Sequence, residues 1–242
     1  MSTIKLSMPS MPSLPPQEQR KSLGDQIFES IRDQIVTMKL VPGSMIYENE
    51  LAEALGVSRT PVREAIRLLV SEQLLDVLPQ RGTRIALISE RKVSEARFIR
   101  EQLELGAFRL AAVQWRDYEA IKSADAALSK LLEEQRAAGE AGDAALFLQL
   151  DEAFHRIVLE AAGNATLLQV VYQMRAHLNR ARYLAIEQLG HMDKVVEEHA
   201  QLLDALRQGN SELAASRLQP HIGKIDNELP ELRDRYPHYF IT

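Results

Sequence analysis

The sequence predicts a mostly α-helical chain in two parts: a small helical unit closed by a β-hairpin, then an antiparallel bundle of about six helices. Three observations lead there. Apolar residues recur at helical spacing from Leu23 onward. Alternation replaces that spacing at Leu75-Asp76-Val77-Leu78 and Thr83-Arg84-Ile85-Ala86-Leu87, on either side of Pro79-Gln80-Arg81-Gly82, the pattern of two strands around a turn. From Lys92 proline is absent until Pro220, while Gly139, Gly142, Gly163-Asn164, Gly190 and Gly209 punctuate six helical blocks.

Residues 1–22 are rich in Ser, Pro and Met without periodicity, so a flexible tail is expected there. Leu23, Ile27, Ile31 and Ile35 then recur every four residues as one helix face, with Pro42-Gly43 expected to end that helix. Glu50 to Glu72 reads as two helices joined by a tight turn at Gly56. Leu51, Ala52 and Leu55 form the buried stripe of the first helix; Val62, Ile66, Leu69 and Val70 form that of the second. Ser58 is placed as the N-cap of the second helix, and Pro61 falls in its first turn, where a missing N–H removes no helical bond. Arg59, Arg63 and Arg67 follow at four-residue spacing and share one side. A compact helical pair with a cationic second helix is the layout of a DNA-reading helix-turn-helix, and the hairpin after it is the wing of a winged helix, together spanning 23–88. Arg81 at the wing tip is in reach of a minor groove, and Gly82 lets the backbone come close to a phosphate.

The six later blocks lie at roughly 92–115, 117–138, 143–162, 165–188, 192–208 and 211–228, a second domain of 92–228. Leu229 to Thr242, interrupted by Pro230 and Pro237, has no assigned structure. Hydrophobic content of 45% supports a buried core, and the absence of cysteine excludes disulfides and thiolate metal ligands. No apolar run reaches membrane-spanning length and the Pro-rich start lacks a signal-peptide core, so a cytoplasmic protein is expected. The formal net charge is −5, and neither the first 90 residues nor the remainder is basic. DNA binding must therefore rest on local charge at Arg59, Arg63, Arg67, Arg81 and Arg84.

Four residues of the bundle form a second constellation. Asp151 and His155 are four apart and project from one helix face. His199 and His221 are each 11 positions from residue 210, the turn between two antiparallel helices, which sets both imidazoles at one height about 16 Å from the turn. One carboxylate and three imidazoles suit a divalent transition metal: Zn, Ni, Mn or Fe by ligand type. By spacing alone, Asp and His at i,i+4 are common surface companions, and a lone bundle histidine is usually a hydrogen-bonded core residue.

The string Leu51-Ala52-x-x-Leu55-Gly56-Val57-Ser58-Arg59-Thr60-Pro61-Val62-Arg63-Glu64-Ala65 closely resembles the DNA-binding signature of the GntR family of bacterial transcription regulators. Arg100-x-x-Leu103-Glu104, Asp151-x-x-Phe154-His155, Ala161-Ala162-Gly163-Asn164, Glu198-His199 and His221-Ile222 resemble the FCD ligand-binding domain of the FadR-type branch of that family. The resemblance implies Ser58 and Thr60 on phosphates with Arg59 and Arg63 in the major groove, and a metal held by Asp151, His155, His199 and His221. It also implies a homodimer on inverted-repeat operator DNA, whose affinity changes when a small organic acid enters beside the metal. Four protein ligands leave an octahedral ion two open positions for such an acid. Arg100 is a candidate bidentate partner for it, or else pairs with Glu101 or Glu104; Asn179 and Arg182 are further effector candidates. His177, His191 and His238 match nothing, with His177 the reserve ligand.

A transcriptional regulator, expected to repress and not to be an enzyme, is the reading these features favour. Two others use the same residues: a metal-dependent hydrolase with water activated in the bundle, and a regulator for which the metal itself is the signal.

Overall fold

In the computed structural model, residues 22–241 are described; the expected tail at 1–21 and Thr242 lie outside them. Helix α1 (Leu23–Val36) starts at a reciprocal cap, in which Asp25 N donates to Ser22 Oγ at 3.0 Å and Ser22 N donates to the Asp25 carboxylate at 3.2 Å. Ile27, Ile31 and Ile35 are buried, while Leu23 is exposed at the open end of the stripe. The helix stops at Val36, before Pro42-Gly43, because Met38 turns into the left-handed region at φ 55°. The chain then forms a two-residue strand β1 (Met45–Ile46), too short for any alternation to announce it.

Helices α2 (Glu48–Leu55) and α3 (Arg59–Ser71) follow, with Gly56 left-handed at φ 64° between them. Ala52, Val62, Ile66 and Leu69 are buried as expected, Leu51 and Val70 half-buried and Leu55 exposed. Strands β2 (Leu75–Leu78) and β3 (Gly82–Ile85) form the hairpin, with Leu78 opposite Gly82 and Leu75 opposite Ile85; β1 adds to the far edge of β3. A core of Ile31, Ile35, Val62, Leu69, Leu74 and Ile85 unites helices and wing. Each such side chain contributes roughly 1.5–3 kcal/mol by leaving water.

Strand β4 (Ile88–Ser89) leads straight into the bundle: α4 (Glu90–Gln114), α5 (Tyr118–Glu140), α6 (Ala144–Ala161), α7 (Ala165–Leu189), α8 (Met192–Arg207) and α9 (Ser211–Arg235). Three of the helix junctions repeat one device. Gly142, Gly163 and Gly209 adopt positive φ, and the next residue, Asp143, Asn164 or Asn210, accepts from the backbone N–H three positions on. The Gly-Asp and Gly-Asn pairs thus end one helix and start another, which is why the boundaries were readable to within two residues.

The exception is α9, which passes through Pro220 and Pro230 and ends at Arg235, seven residues beyond the expected stop. Both prolines face solvent, where the carbonyls they orphan can be hydrated, while Ile222, Ile225, Leu229 and Leu232 remain buried. Beyond it, a 3-10 turn (Pro237–Tyr239) delivers β5 (Phe240–Ile241), which pairs in parallel with β4. Ser89 accepts from Lys92 N to cap α4. No loose segment therefore separates wing and bundle.

Candidate functional sites

The four bundle residues converge. Asp151 and His155 come from α6, His199 from α8 and His221 from α9, and their nearest donor atoms all lie within 4.8 Å of one another. His221 Nε2 is 3.1 Å from His155 Nε2 and 3.3 Å from His199 Nε2; His199 Nε2 is 3.5 Å from Asp151 Oδ1. All four are buried, and the His199 ring stacks on Phe154 with centroids 4.2 Å apart.

Each imidazole is held from behind. His155 Nδ1 bonds the Glu104 carboxylate at 2.7 Å, His221 Nδ1 bonds Glu198 at 2.8 Å, and His199 Nδ1 meets Gln135 Oε1 at 2.9 Å. The contacting atoms, two carboxylate oxygens and the Gln135 amide oxygen, are acceptors, so each Nδ1 carries a proton and each Nε2 is the nitrogen left to face inward as a metal ligand. Three such nitrogens, unprotonated, cannot hydrogen-bond among themselves. Asp151 Oδ1 is also buried and has no hydrogen-bond partner among the described residues. A cation at the centre would satisfy all four donors together, so the residues fit a metal of the imidazole-favouring kind.

The electrostatics agree. Burial pushes the Asp151 carboxyl up, but Arg182, His155, His199 and Arg100 outweigh it and hold it well below the usual range. Burial, reinforced by His221, drives His199 well below an ordinary imidazole, and His221 is lowered chiefly by burial. Glu104 is raised by burial yet brought down to about 2 by Arg100 and His155. At neutral pH the set is two neutral rings and ionised carboxylates, the state in which such groups bind metal.

Arg100 is buried and pairs with Glu104 (Nε–Oε1 2.6 Å) rather than with Glu101, whose carboxylate is taken by Arg97. Among the described residues its two terminal nitrogens have no hydrogen-bond partner. Arg182 donates to Asp151 Oδ2 at 2.5 Å and to Asn179 Oδ1 at 3.4 Å, and Asn179 in turn donates to Glu152. Two small cavities of about 50 and 40 Å³ flank this row, and Arg100 and Arg182 line both. His177 is not in the cluster: its Nε2 donates to the Glu72 carbonyl at the end of α3, 2.8 Å away. His191 lines the larger cavity and His238 is exposed. Spacing does not reveal Glu104, Gln135 and Glu198 as supports of the imidazoles, because the histidines they hold lie 51, 64 and 23 residues away.

On α3, Ser58, Arg59, Thr60, Arg63 and Arg67 are exposed. Ser58 stands at the N-cap position without a side-chain cap bond, so its hydroxyl is not committed to the helix. Arg63 Nε donates to Glu48 Oε2 at 2.7 Å and Arg59 reaches the same oxygen at 3.4 Å. Arg81 stands exposed at the wing tip, whereas Arg84 is engaged across the strands by Asp76 at 2.9 Å. Gly82 has a structural reason of its own: its φ is 107°, and a Cβ there would lie 3.2 Å from Met45 Cε.

One helix touches both places. From α7, Arg182 and Asn179 face the cluster, His177 bonds Glu72, and the buried Arg180 donates to the Ala86 and Leu87 carbonyls at 2.6 and 3.2 Å. Tyr172 O accepts from Arg32 of α1 at 3.2 Å, and its ring lies under both Arg32 and Arg175.

Comparison with known proteins agrees with this architecture. Residues 23–85 match the model described as bacterial regulatory proteins, gntR family, and residues 95–224 match the FCD domain. An uncharacterized HTH-type transcriptional regulator of Streptomyces ambofaciens is 31% identical over 89% of each chain. The HTH-type transcriptional repressor RspR of Escherichia coli is 26% identical over 90% of this chain and 93% of its own. The structure of E. coli McbR/YncC superposes with a TM-score of 0.76 at 26% identity, over 90% of this chain and all of that one.

Proposed function

We propose, from the premise that this chain belongs to the GntR family of bacterial regulatory proteins and is a DNA-binding transcriptional regulator with an FCD domain, that a metal-bound organic acid in the bundle controls its affinity for operator DNA. One observation carries this reading: three inward Nε2 nitrogens and an Asp151 oxygen with no hydrogen-bond partner among the described residues, sealed in the core and fused to a DNA reader. Asp151, His155, His199 and His221 would hold Zn, Ni, Mn or Fe, and the ion would supply charge and open coordination positions for a carboxylate. Arg100, its two terminal nitrogens unbonded among the described residues, takes the acid; Arg182 and Asn179 orient Asp151 and the cavity wall. Cavities of about 50 and 40 Å³ suit a small acid, since a single water needs roughly 10–15 Å³ on this measure.

The protein acts as a repressor and a homodimer on an inverted repeat, with Arg59 and Arg63 in the major groove, Ser58 and Thr60 on phosphates, and Arg81 and Gly82 at the minor-groove edge. Phe98, Leu110 and Val113 leave an exposed apolar face on α4 for the second copy. It works where the chromosome is, in the cytoplasm, and no helix among the described residues is long and apolar enough to cross a membrane. Ser89, between wing and bundle, is paired with Ile241 and caps α4, which leaves carriage of the signal between the domains to another element. Helix α7 takes that role, since it borders the cavities and grips α1, α3 and the end of the wing.

Operator binding titrated against each metal, with and without small carboxylates, tests the proposal. Metal and acid together should change affinity about 5- to 150-fold, a coupling of ~1–3 kcal/mol. A response to metal alone would make the ion the signal, and none to either would end the proposal. Light scattering should give a dimer.

A further inference from the structure

Lys224 is the unexplained group beside the cluster. It lies three residues after His221 on α9, so the two side chains are neighbours on one helix face. Its Nζ is buried and has no hydrogen-bond partner among the described residues. Two carboxylates act on it through space and neither bonds it among the described residues: Glu198 is bonded to His221, and Glu228, one turn further along α9 and lining the same cavity, makes no ion pair with it. An ammonium out of water with no anion bonded to it is unfavourable, and a long flexible side chain would ordinarily escape to solvent.

Lys224 lines the larger cavity together with Arg100, Asp151, Arg182 and His221. The two arginines there are already bonded to carboxylates, Glu104 and Asp151, and Lys224 is not. Ile186, Val195 and Ile225 give the same cavity an apolar wall. The cavity therefore offers one anion position at Arg100 and the metal ligands, a second at Lys224 about one helical turn or 5 Å along α9, and methylene-compatible surface nearby.

Resting on the acid-binding reading above, we infer that this cavity takes a short-chain dicarboxylate, one carboxylate at the metal and Arg100 and the other on Lys224. A monocarboxylate would fill the first position and leave the buried ammonium as it is. The second carboxylate supplies its missing anion, so discrimination between the two acids resides in Lys224.

Calorimetric titration of the full-length, zinc-loaded protein with acetate, malonate, succinate and glutarate tests this, on wild type, Lys224→Met and Lys224→Gln. At least one dicarboxylate should bind wild type tenfold or more tighter than acetate. Both substitutions should erase that preference while acetate affinity and zinc content, measured by mass spectrometry, stay at the wild-type level. A dicarboxylate preference that survives in either zinc-retaining variant overturns the inference, as does a wild type that prefers none of the three over acetate. Those outcomes leave the acid-binding reading standing. Failure of every acid to bind the zinc-loaded wild type removes both.

Discussion

Arg59 and Arg63 on α3 are more than half exposed, at 54% and 52%, and share a single half-buried acceptor, Glu48. The bundle cluster is built the other way: Asp151 and His199 are wholly buried, and every imidazole has its own acceptor behind it. An exposed ion pair is worth little in water, so arginines held by Glu48 can exchange it for a phosphate or a base edge at small cost. Buried donors have no water to fall back on and must be oriented before the ion arrives. A reader can be loosely held; a buried cation site cannot. The contrast implies that substitutions should be all-or-none in the cluster and graded on the DNA face.

The strongest test of the contrast is the pair His199→Ala/His221→Ala. Two of four ligands go, and the variant should bind no stoichiometric metal while remaining a folded dimer. It should still bind operator and no longer respond to acids. Elemental analysis with operator titration checks this; one equivalent of retained metal, or a surviving acid response, breaks the comparison.

The joint between the regions should answer to acid. His177 donates Nε2–H to the Glu72 carbonyl and presents Nδ1 to Arg180 Nη2 at 3.4 Å. Burial first, and then Arg180, brings its pKa down from 6.5 to about 4. A proton on Nδ1 would face a guanidinium. The unfolded chain takes up that proton from about pH 6.5 and the folded one only near 4, so stability falls as pH drops through this window, by at most roughly 3 kcal/mol. Urea unfolding at pH 7.5 and 4.5 should show a smaller acid loss in His177→Gln than in wild type. Equal losses would place the acid sensitivity elsewhere, in the cluster itself.

What could be read from sequence divides along the same line. The α3 arginines and the Asp151–His155 pair are local, four residues apart, and His199 and His221 follow from the symmetry of one helical hairpin. Their supports are not local. Glu48 precedes Arg59 by 11 residues on another helix, and Glu104 reaches His155 only because α4 packs on α6. Glu198 is adjacent to His199 in sequence but serves His221. Pro230 signals a break that packing of Leu229 and Leu232 overrides, and the two-residue β4–β5 pair is too short to leave any pattern. Leu23 and Leu55 match the apolar period but sit at helix ends, where the period no longer guarantees a neighbour.

On the DNA face, Arg63→Ala should weaken operator binding by ~1–3 kcal/mol and relax the preference at one base position. Competition binding against operator variants measures both. Unchanged affinity at several salt concentrations would mean that Arg63 serves only to hold Glu48.

The smallest effect is expected at the wing tip. Arg81 stands beyond the last strand pair, Leu78 with Gly82, and the turn that carries it is closed by its own backbone, Arg81 N donating to Leu78 O at 3.0 Å. Among the described residues the side chain makes no hydrogen bond or ion pair that would be lost, so Arg81→Ala should leave the unfolding midpoint unchanged. Its charge is solvated before and after binding, and its gain on DNA is largely counterion release at the backbone. Removing it should therefore weaken operator and unrelated DNA by the same factor, and lower the slope of log K against log salt by about 1. That signature is the opposite of the one expected for Arg63, which should lose discrimination while keeping its non-specific binding. If Arg81→Ala instead selectively weakened the operator, the wing would be reading sequence or groove shape, and the graded face would extend from α3 to the hairpin.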